Sequence, residues 1–201
     1  MEPLAPTALT YGWASGVNAY LTVALYGILG RAGVADAPEF VQRTEVIAVV
    51  LAMFAIEFVI DKLPIFDSLW DLPHWAIRPA IGSALGVAVA GDASTLDQAL
   101  AGGGSGATAI VSHGVKVAVR LGVNSSPEPF TNAIVSLAED AAVGLVTYLV
   151  IDHPWLAFGL AVVLLTLGIV VAILLAKLVR AGYRRLRARL GRAGPAPPDV
   201  G

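Results

Sequence analysis

The sequence contains no cysteine, which excludes disulfides, thiolate metal sites and cysteine nucleophiles. Charge is scarce as well. Asp, Glu, Lys and Arg make up 14% of the 201 residues, where a soluble domain usually carries about a quarter. The first ten residues lack a basic n-region, and no small-residue cleavage site follows an early apolar run. The first apolar stretch is therefore expected to be retained as a span. No strand and no Gly-Lys-Ser/Thr follows Gly103-Gly104, so a phosphate loop is excluded.

What the chain has in abundance is apolar residues, at 57% with a mean hydropathy of +0.76. A bilayer-crossing helix needs roughly 20 of them, so this length holds about six spans and little else. Six apolar segments are legible, at about Leu9–Leu29, Glu45–Ile60, Trp75–Ala90, Ala99–Leu121, Phe130–Ile151 and Trp155–Val179. Prolines punctuate the connectors, as in Asp61-Lys62-Leu63-Pro64 and Ser125-Ser126-Pro127-Glu128-Pro129. A re-entrant Trp75–Ala90 would give five spans, and a split last segment seven.

Seven of the 13 basic residues cluster at the end: Lys177, Arg180, Arg184, Arg185, Arg187, Arg189 and Arg192. A basic cluster directly after an apolar span is cytoplasmic by the positive-inside rule, which puts both termini of a six-span chain inside a bacterial inner membrane. Tyr183 is the one aromatic residue in the cluster and no second basic patch accompanies it, so no nucleic-acid partner is expected. The partner is the lipid bilayer. Six short spans enclose only a narrow cavity, which leaves room for a homodimer. Nothing in the sequence names a cofactor.

Landmarks recur at an offset near 90 residues. Ser15-Gly16-Val17-Asn18-Ala19 resembles Ser105-Gly106-Ala107-Thr108-Ala109, and Val59-Ile60-Asp61-Lys62-Leu63-Pro64 resembles Val150-Ile151-Asp152-His153-Pro154. Each half would hold three spans, so the second must insert upside down, a recurrent plan of secondary transporters. The expected fold is thus an all-α integral membrane protein of about six transmembrane helices, arranged as two inverted-topology three-helix repeats. The transmembrane domain covers 1–183, with repeat one at about 9–92 and repeat two at about 98–180. A basic, Pro-rich cytoplasmic tail covers 184–201.

Ionisable groups inside such segments are costly, at least about 2.5–3.5 kcal/mol each, and usually face a bundle interior. Glu57 and Asp61 share one helix face. Ser105, Thr108, Ser112 and Lys116 form a stripe, with His113, Lys116 and Arg120 beside it. Asn132, Ser136 and Glu139 form another, and Asp140 adjoins it. The candidate substrate or ion site is Asn18, Glu57, Asp61, Ser105, Thr108, His113, Lys116, Arg120, Glu139 and Asp140. A structural reading stands beside this one: Lys116 and Arg120 snorkel inward or lock Glu57 and Glu139 in ion pairs. Helix breaks are expected at Ser15-Gly16 and at Gly102–Gly106, exposing N–H groups suited to an anion. Close packing through small residues is the alternative use of these glycines. In the connector Asp61–His74, Asp67, Asp71 and His74 are weak candidates for a divalent cation, against an interfacial loop with a Trp70/Trp75 belt.

Several motifs together resemble a bacterial membrane family. They are Ser15-Gly16-x-Asn18-Ala19-Tyr20-Leu21, Glu57-Phe58-x-x-Asp61-Lys62-x-Pro64-x-x-Asp67-Ser68-x-Trp70-Asp71, Ile77-Arg78-Pro79, His113-x-x-Lys116, Asn124-x-Ser126-Pro127-Glu128-Pro129 and Ser136-Leu137-x-Glu139-Asp140. The family is the one called domain of unknown function 4126. The resemblance spans about residues 11–150 and implies a membrane protein without supplying an activity. The function expected from the residues is a small secondary transporter or channel for an ion or small polar solute. The alternatives are an intramembrane enzyme or lipid-handling protein using buried His and carboxylate groups, and a non-catalytic membrane scaffold. An enzyme is the less favoured class, because catalysis has no need of two-sided pseudo-symmetry.

Overall fold

The computed structural model describes residues 3–124 and 129–192, and all of its regular structure there is helical. The long helices are α1 (Leu4–Arg31), α3 (Thr44–Ile60), α4 (Pro64–Ala90), α5 (Thr95–Asn124), α6 (Pro129–Asp152) and α7 (Pro154–Arg192). A four-residue α2 (Glu39–Gln42) lies in the first connector. Each long helix contains one of the six apolar segments. Prolines begin α4, α6 and α7, where the missing N–H would have been unpaired anyway. Gly91 closes α4 at φ +52°, a backbone conformation that a β-carbon disfavours. The Ser125–Glu128 connector and the Gly194–Pro198 tail lie outside the described residues.

Helix α1 is the hub and packs against α3, α4, α5, α6 and α7. It can do so because its inner length is small: Ala8, Gly12, Ala14, Ser15, Gly16 and Ala19 are all buried. A β-carbon at Gly12 would strike the backbone of Ser105, one at Gly86 the backbone of Ala101, and one at Gly106 the side chain of Ser83. The α1, α4 and α5 backbones therefore lie nearly in contact, the small-residue packing that membrane bundles use. This corrects the expected break at Gly102–Gly106. Helix α5 runs on through its glycines, which are there for close approach. The break in α1 is real but falls at Asn18, whose φ −148° and ψ 98° interrupt the helix. The connector reading of Asp61–His74 is corrected too, since the chain is helical from Pro64 onward with Pro73 and Pro79 inside α4. The basic stretch from Arg184 is no separate coil as far as Arg192, but the end of α7.

Burial is inverted relative to a soluble domain. The largest fully buried side chains are Arg78, Arg120, His74, His113 and Glu57, residue types that rarely lie fully inside unless paired. Leu, Val, Ile and Phe side chains cover the outside, among them Val49, Leu100, Phe130, Leu167 and Leu174. Helix α3 is apolar except at Thr44, Glu45 and Glu57, yet Glu57 is its buried residue. Two helices are long and apolar enough to cross a membrane: Phe130–Asp152, at mean hydropathy 1.8, and Pro154–Arg184, at 3.0. Both leave most of their surface uncovered by the rest of the protein.

Candidate functional site

Helical spacing brings the charges together. On α4, Asp67, Asp71, His74 and Arg78 are four, three and four residues apart, so they fall on one face and all are buried. Helix α5 presents Ser112, His113, Lys116 and Arg120 on its buried face. Helix α6 adds Asn132 and Glu139, and the end of α3 adds Glu57 and Asp61. The four helices converge beside the break in α1.

The result is one connected ion-pair network. Arg78 donates to Glu57 Oε1 at 2.7 Å, to the Gly16 carbonyl at 2.8 Å and to His113 Nδ1 at 2.9 Å. Lys116 Nζ donates to Asp61 Oδ2 at 3.0 Å, Val17 O at 3.1 Å and Glu57 Oε1 at 3.2 Å. Arg120 holds Glu139 Oε2 through both Nε and Nη2, at 3.2 and 2.7 Å, and reaches Asp61 and Asn132 with its remaining donors. Asp67 and Asp71 stand 3.9 Å from Arg120 and Arg78. Asp67 also accepts from Asn124 Nδ2 at 3.0 Å. Both aspartates precede Trp75, on the first turns of α4. Burial there pushes both carboxyls up, Asp71 to about 6, against the opposing pull of the nearby arginines.

The break in α1 is part of this site. In an unbroken helix Leu21 N–H would bond Val17 O. Here it bonds the Asn18 side-chain oxygen at 3.0 Å, an N-cap for the second half-helix. The carbonyls of Gly16 and Val17 turn instead to Arg78 and Lys116. Asn18 Nδ2 donates to Asp140 Oδ1 at 2.9 Å, setting a carboxylate near the positive end of the second half-helix. The break thus presents carbonyls to cations. Of the exposed N–H groups expected from the sequence, that of Leu21 is taken up by Asn18.

Eight of the ten predicted site residues meet in or beside this network: Asn18, Glu57, Asp61, His113, Lys116, Arg120, Glu139 and Asp140. Lys116 and Arg120 are buried and paired, with neither snorkelling to the surface. Ser105 and Thr108 do not join it. They sit about two to three turns away along α5, Thr108 bonded to the Gly104 carbonyl and Ser105 packed against Gly12 and Gly86. His113 accepts from Arg78 at Nδ1, because a guanidinium can only donate, which fixes the Nε2–H tautomer. His74 donates from Nδ1 to Trp70 O at 2.6 Å and accepts at Nε2 from the Tyr20 hydroxyl at 3.1 Å. With both nitrogens engaged, no His74 lone pair is left for a metal. Among the described residues no group of three or more His, Asp and Glu side chains is placed to hold a metal ion. Arg78 is the central residue that the candidate set omits; the Asp67/Asp71/His74/Arg78 spacing is the signal that marks it.

One hollow adjoins the network and another lies away from it. A cleft of about 300 Å³ between α1, α5, α6 and α7 is walled by Trp13, Val17, Val119, Ala142, Leu165 and Val171, and reaches Lys116 and Glu139. At the far end of the bundle Asp36, Asp92 and Asp152 line a second hollow of about 410 Å³.

The family model described as Domain of unknown function (DUF4126) matches residues 5–173. No curated protein and no solved structure matches the chain.

Proposed function

We propose, on the premise that the chain belongs to the family described as Domain of unknown function (DUF4126), that it is a small multi-pass carrier or channel of the bacterial inner membrane. It moves an ion or small polar solute. The family brings no activity with it, so the reading rests on this chain's own residues. The observation that carries it is an interrupted helix at the bundle centre, with a buried ion-pair network closing on the freed carbonyls. Discontinuous helices with ionisable partners are how transporters build sites within the bilayer.

The inverted burial supports the membrane reading. In lipid the apolar exterior is solvated and the charged groups must find one another, which is the arrangement described above. The spans are α3, α4, α5, α6 and α7, while α1 is re-entrant: its halves fold back at Asn18 and bring the Tyr11 and Tyr26 rings to 4.9 Å. Helix α4 enters the bilayer at Trp75, and Asp61–His74 forms its lead-in. The basic end of α7 lies on the cytoplasmic side, and both halves of α1, which line one hollow with Asp92 and Asp152, put the start of the chain at the opposite end of the bundle. The two inverted three-span halves expected from the sequence do not fit this course, because α1 doubles back at Asn18 while α5 runs straight through.

Glu139 is the residue on which flux depends in this account, since it is 18% exposed, lines the cleft and holds Arg120. The test is flux into proteoliposomes loaded with pH- and cation-reporting dyes, for the wild type and Glu139→Gln. The variant keeps its elution profile, melts below the wild type but above Arg78→Met because Arg120 retains Asp61, and loses flux. Full flux in Glu139→Gln would remove that residue from the mechanism.

A second reading, lipid handling, is favoured by the cleft itself. Its apolar walls suit an acyl chain, while Lys116 and Glu139 would meet a polar headgroup. Native mass spectrometry separates the two readings: a stoichiometric lipid that survives purification, displaced by Lys116→Ala, supports lipid handling.

A further inference from the structure

We infer that the Lys116 ammonium occupies a monovalent-cation site, as a tethered ion standing where the transported or coupling cation binds. The inference rests on the transport reading above and names its substrate class.

The surroundings of Nζ carry the argument. Three oxygens lie within hydrogen-bond distance, namely Asp61 Oδ2 at 3.0 Å, Val17 O at 3.1 Å and Glu57 Oε1 at 3.2 Å, and Glu139 Oε2 stands at 3.9 Å. One is a backbone carbonyl released by the break at Asn18, and the others are carboxylates from α3, the turn after it, and α6. Freed carbonyls with carboxylates are the donor set by which unwound helices hold Na⁺. The same carboxylate oxygens are also held without Lys116: Arg78 donates to Glu57 Oε1, and Arg120 to Asp61 Oδ2 and Glu139 Oε2. The oxygens would therefore keep their places if the ammonium left.

The charge inventory points the same way. Glu57, Asp61, Asp67, Asp71, Glu139 and Asp140 surround Arg78, Lys116 and Arg120, so carboxyls outnumber cations two to one. The buried Glu57 Oε2 and Asp61 Oδ1, the second oxygens of two carboxylates bound to Lys116, have no hydrogen-bond donor among the described residues. Buried carboxylate oxygens without donors are costly, and a cation among them relieves that cost. An anionic substrate would meet an ammonium whose three donors are engaged, among carboxylate oxygens to spare, although Arg78 Nε and His113 Nε2 have no acceptor among the described residues. The acidic hollow at the far end of the bundle, with Asp36, Asp92 and Asp152, suits an approaching cation as well.

Exchange follows from the geometry. A lysine side chain is flexible and its ammonium is a point charge, so a monovalent cation can replace it without altering the charge of the cage. Release of Lys116 toward the adjoining cleft, which it already lines, would open the site.

The experiment uses the full-length chain in nanodiscs, with melting temperature as readout. Wild type, Lys116→Ala and the more conservative Lys116→Gln are titrated with NaCl, KCl and LiCl against N-methylglucamine chloride at equal ionic strength. In either variant an alkali cation should raise the melting temperature with the logarithm of its concentration above the dissociation constant, by about 5–10 °C at a hundredfold excess over it, while the wild type stays flat. Indifference of both variants to alkali cations, an equal response of the wild type, or stabilisation by Mg²⁺ and Ca²⁺ alone would each overturn the inference. The outcome is independent of flux. Cation binding without transport would leave the site standing and remove the carrier reading, and transport without cation binding would do the reverse.

Discussion

Replacing Arg78 by Met should be the most damaging single change in the network. The substitution keeps most of the apolar stem and removes a guanidinium that is fully buried. It deletes the 2.7 Å bond to Glu57, the 2.8 Å bond to the Gly16 carbonyl and the 2.9 Å bond to His113 Nδ1. Glu57 then keeps only Lys116, which it already shares with Asp61. Breaking a buried pair from one side costs about 3–5 kcal/mol, because the remaining charge stays desolvated. For a chain of this size that is a fall of about 6–20 °C in melting temperature. The pair Glu57→Gln with Arg78→Met should recover much of the loss, since neither partner is left charged and alone. Thermal unfolding in nanodiscs of the two single variants and the double variant closes the cycle. An Arg78→Met protein within about 1 kcal/mol of wild type, or a double variant showing the plain sum of the singles, would refute the reasoning.

Further outcomes follow from the same geometry. Gly86→Ala should destabilise by about 1–3 kcal/mol, because its β-carbon meets the Ala101 backbone, whereas Gly103→Ala, with open space around it, should be neutral or stabilising by up to about 1 kcal/mol. Equal melting temperatures for the two would contradict the close packing of α4 on α5. Asn18→Ala removes the cap on Leu21 and the bond to Asp140, which should cost about 1–3 kcal/mol and lower flux far more than stability; wild-type flux in that variant would show that the break is not used. The Asp71 carboxyl, held at about 6 by burial against an ordinary 3.8, favours the protonated folded state. Its contribution is full below the unfolded value and is lost as pH rises through about 6. Asp71→Asn should therefore flatten the melting temperature against pH between about 4 and 6, and an unchanged slope would count against this burial.

Much of the architecture is written in the residue pattern. The long helices follow from apolar stretches punctuated by prolines, and Pro64 and Pro154 do begin helices. The polar faces of α5 and α6 follow from three- and four-residue spacing, which is why Lys116, Arg120, Asn132 and Glu139 are legible as one wall. Arg78 is less so. Two prolines and a run of acids and aromatics give Asp61–His74 the look of a loop, and that hides the helical spacing linking Asp67, Asp71 and His74 to Arg78. The glycines of α5 are ambiguous for a physical reason, since the same residues weaken a lone helix and let packed helices close. Packing wins at Gly102, Gly104 and Gly106, because α4 or α1 lies against each of them. At Asn18 local chemistry wins, since its side chain supplies the acceptor that the broken turn lacks. Ion-pair partners across helices depend on how α3, α4, α5 and α6 are placed, and no spacing within one helix reports that.

The most direct test of the central claim is solid-supported-membrane current from proteoliposomes, with Na⁺, K⁺, pH, divalent cations and small anions jumped in turn. Wild type is compared with Glu139→Gln. The account predicts a current driven by a monovalent cation in the wild type and its loss in the variant, with both proteins equally folded. A current evoked only by anions, or one that persists undiminished in Glu139→Gln, would contradict it.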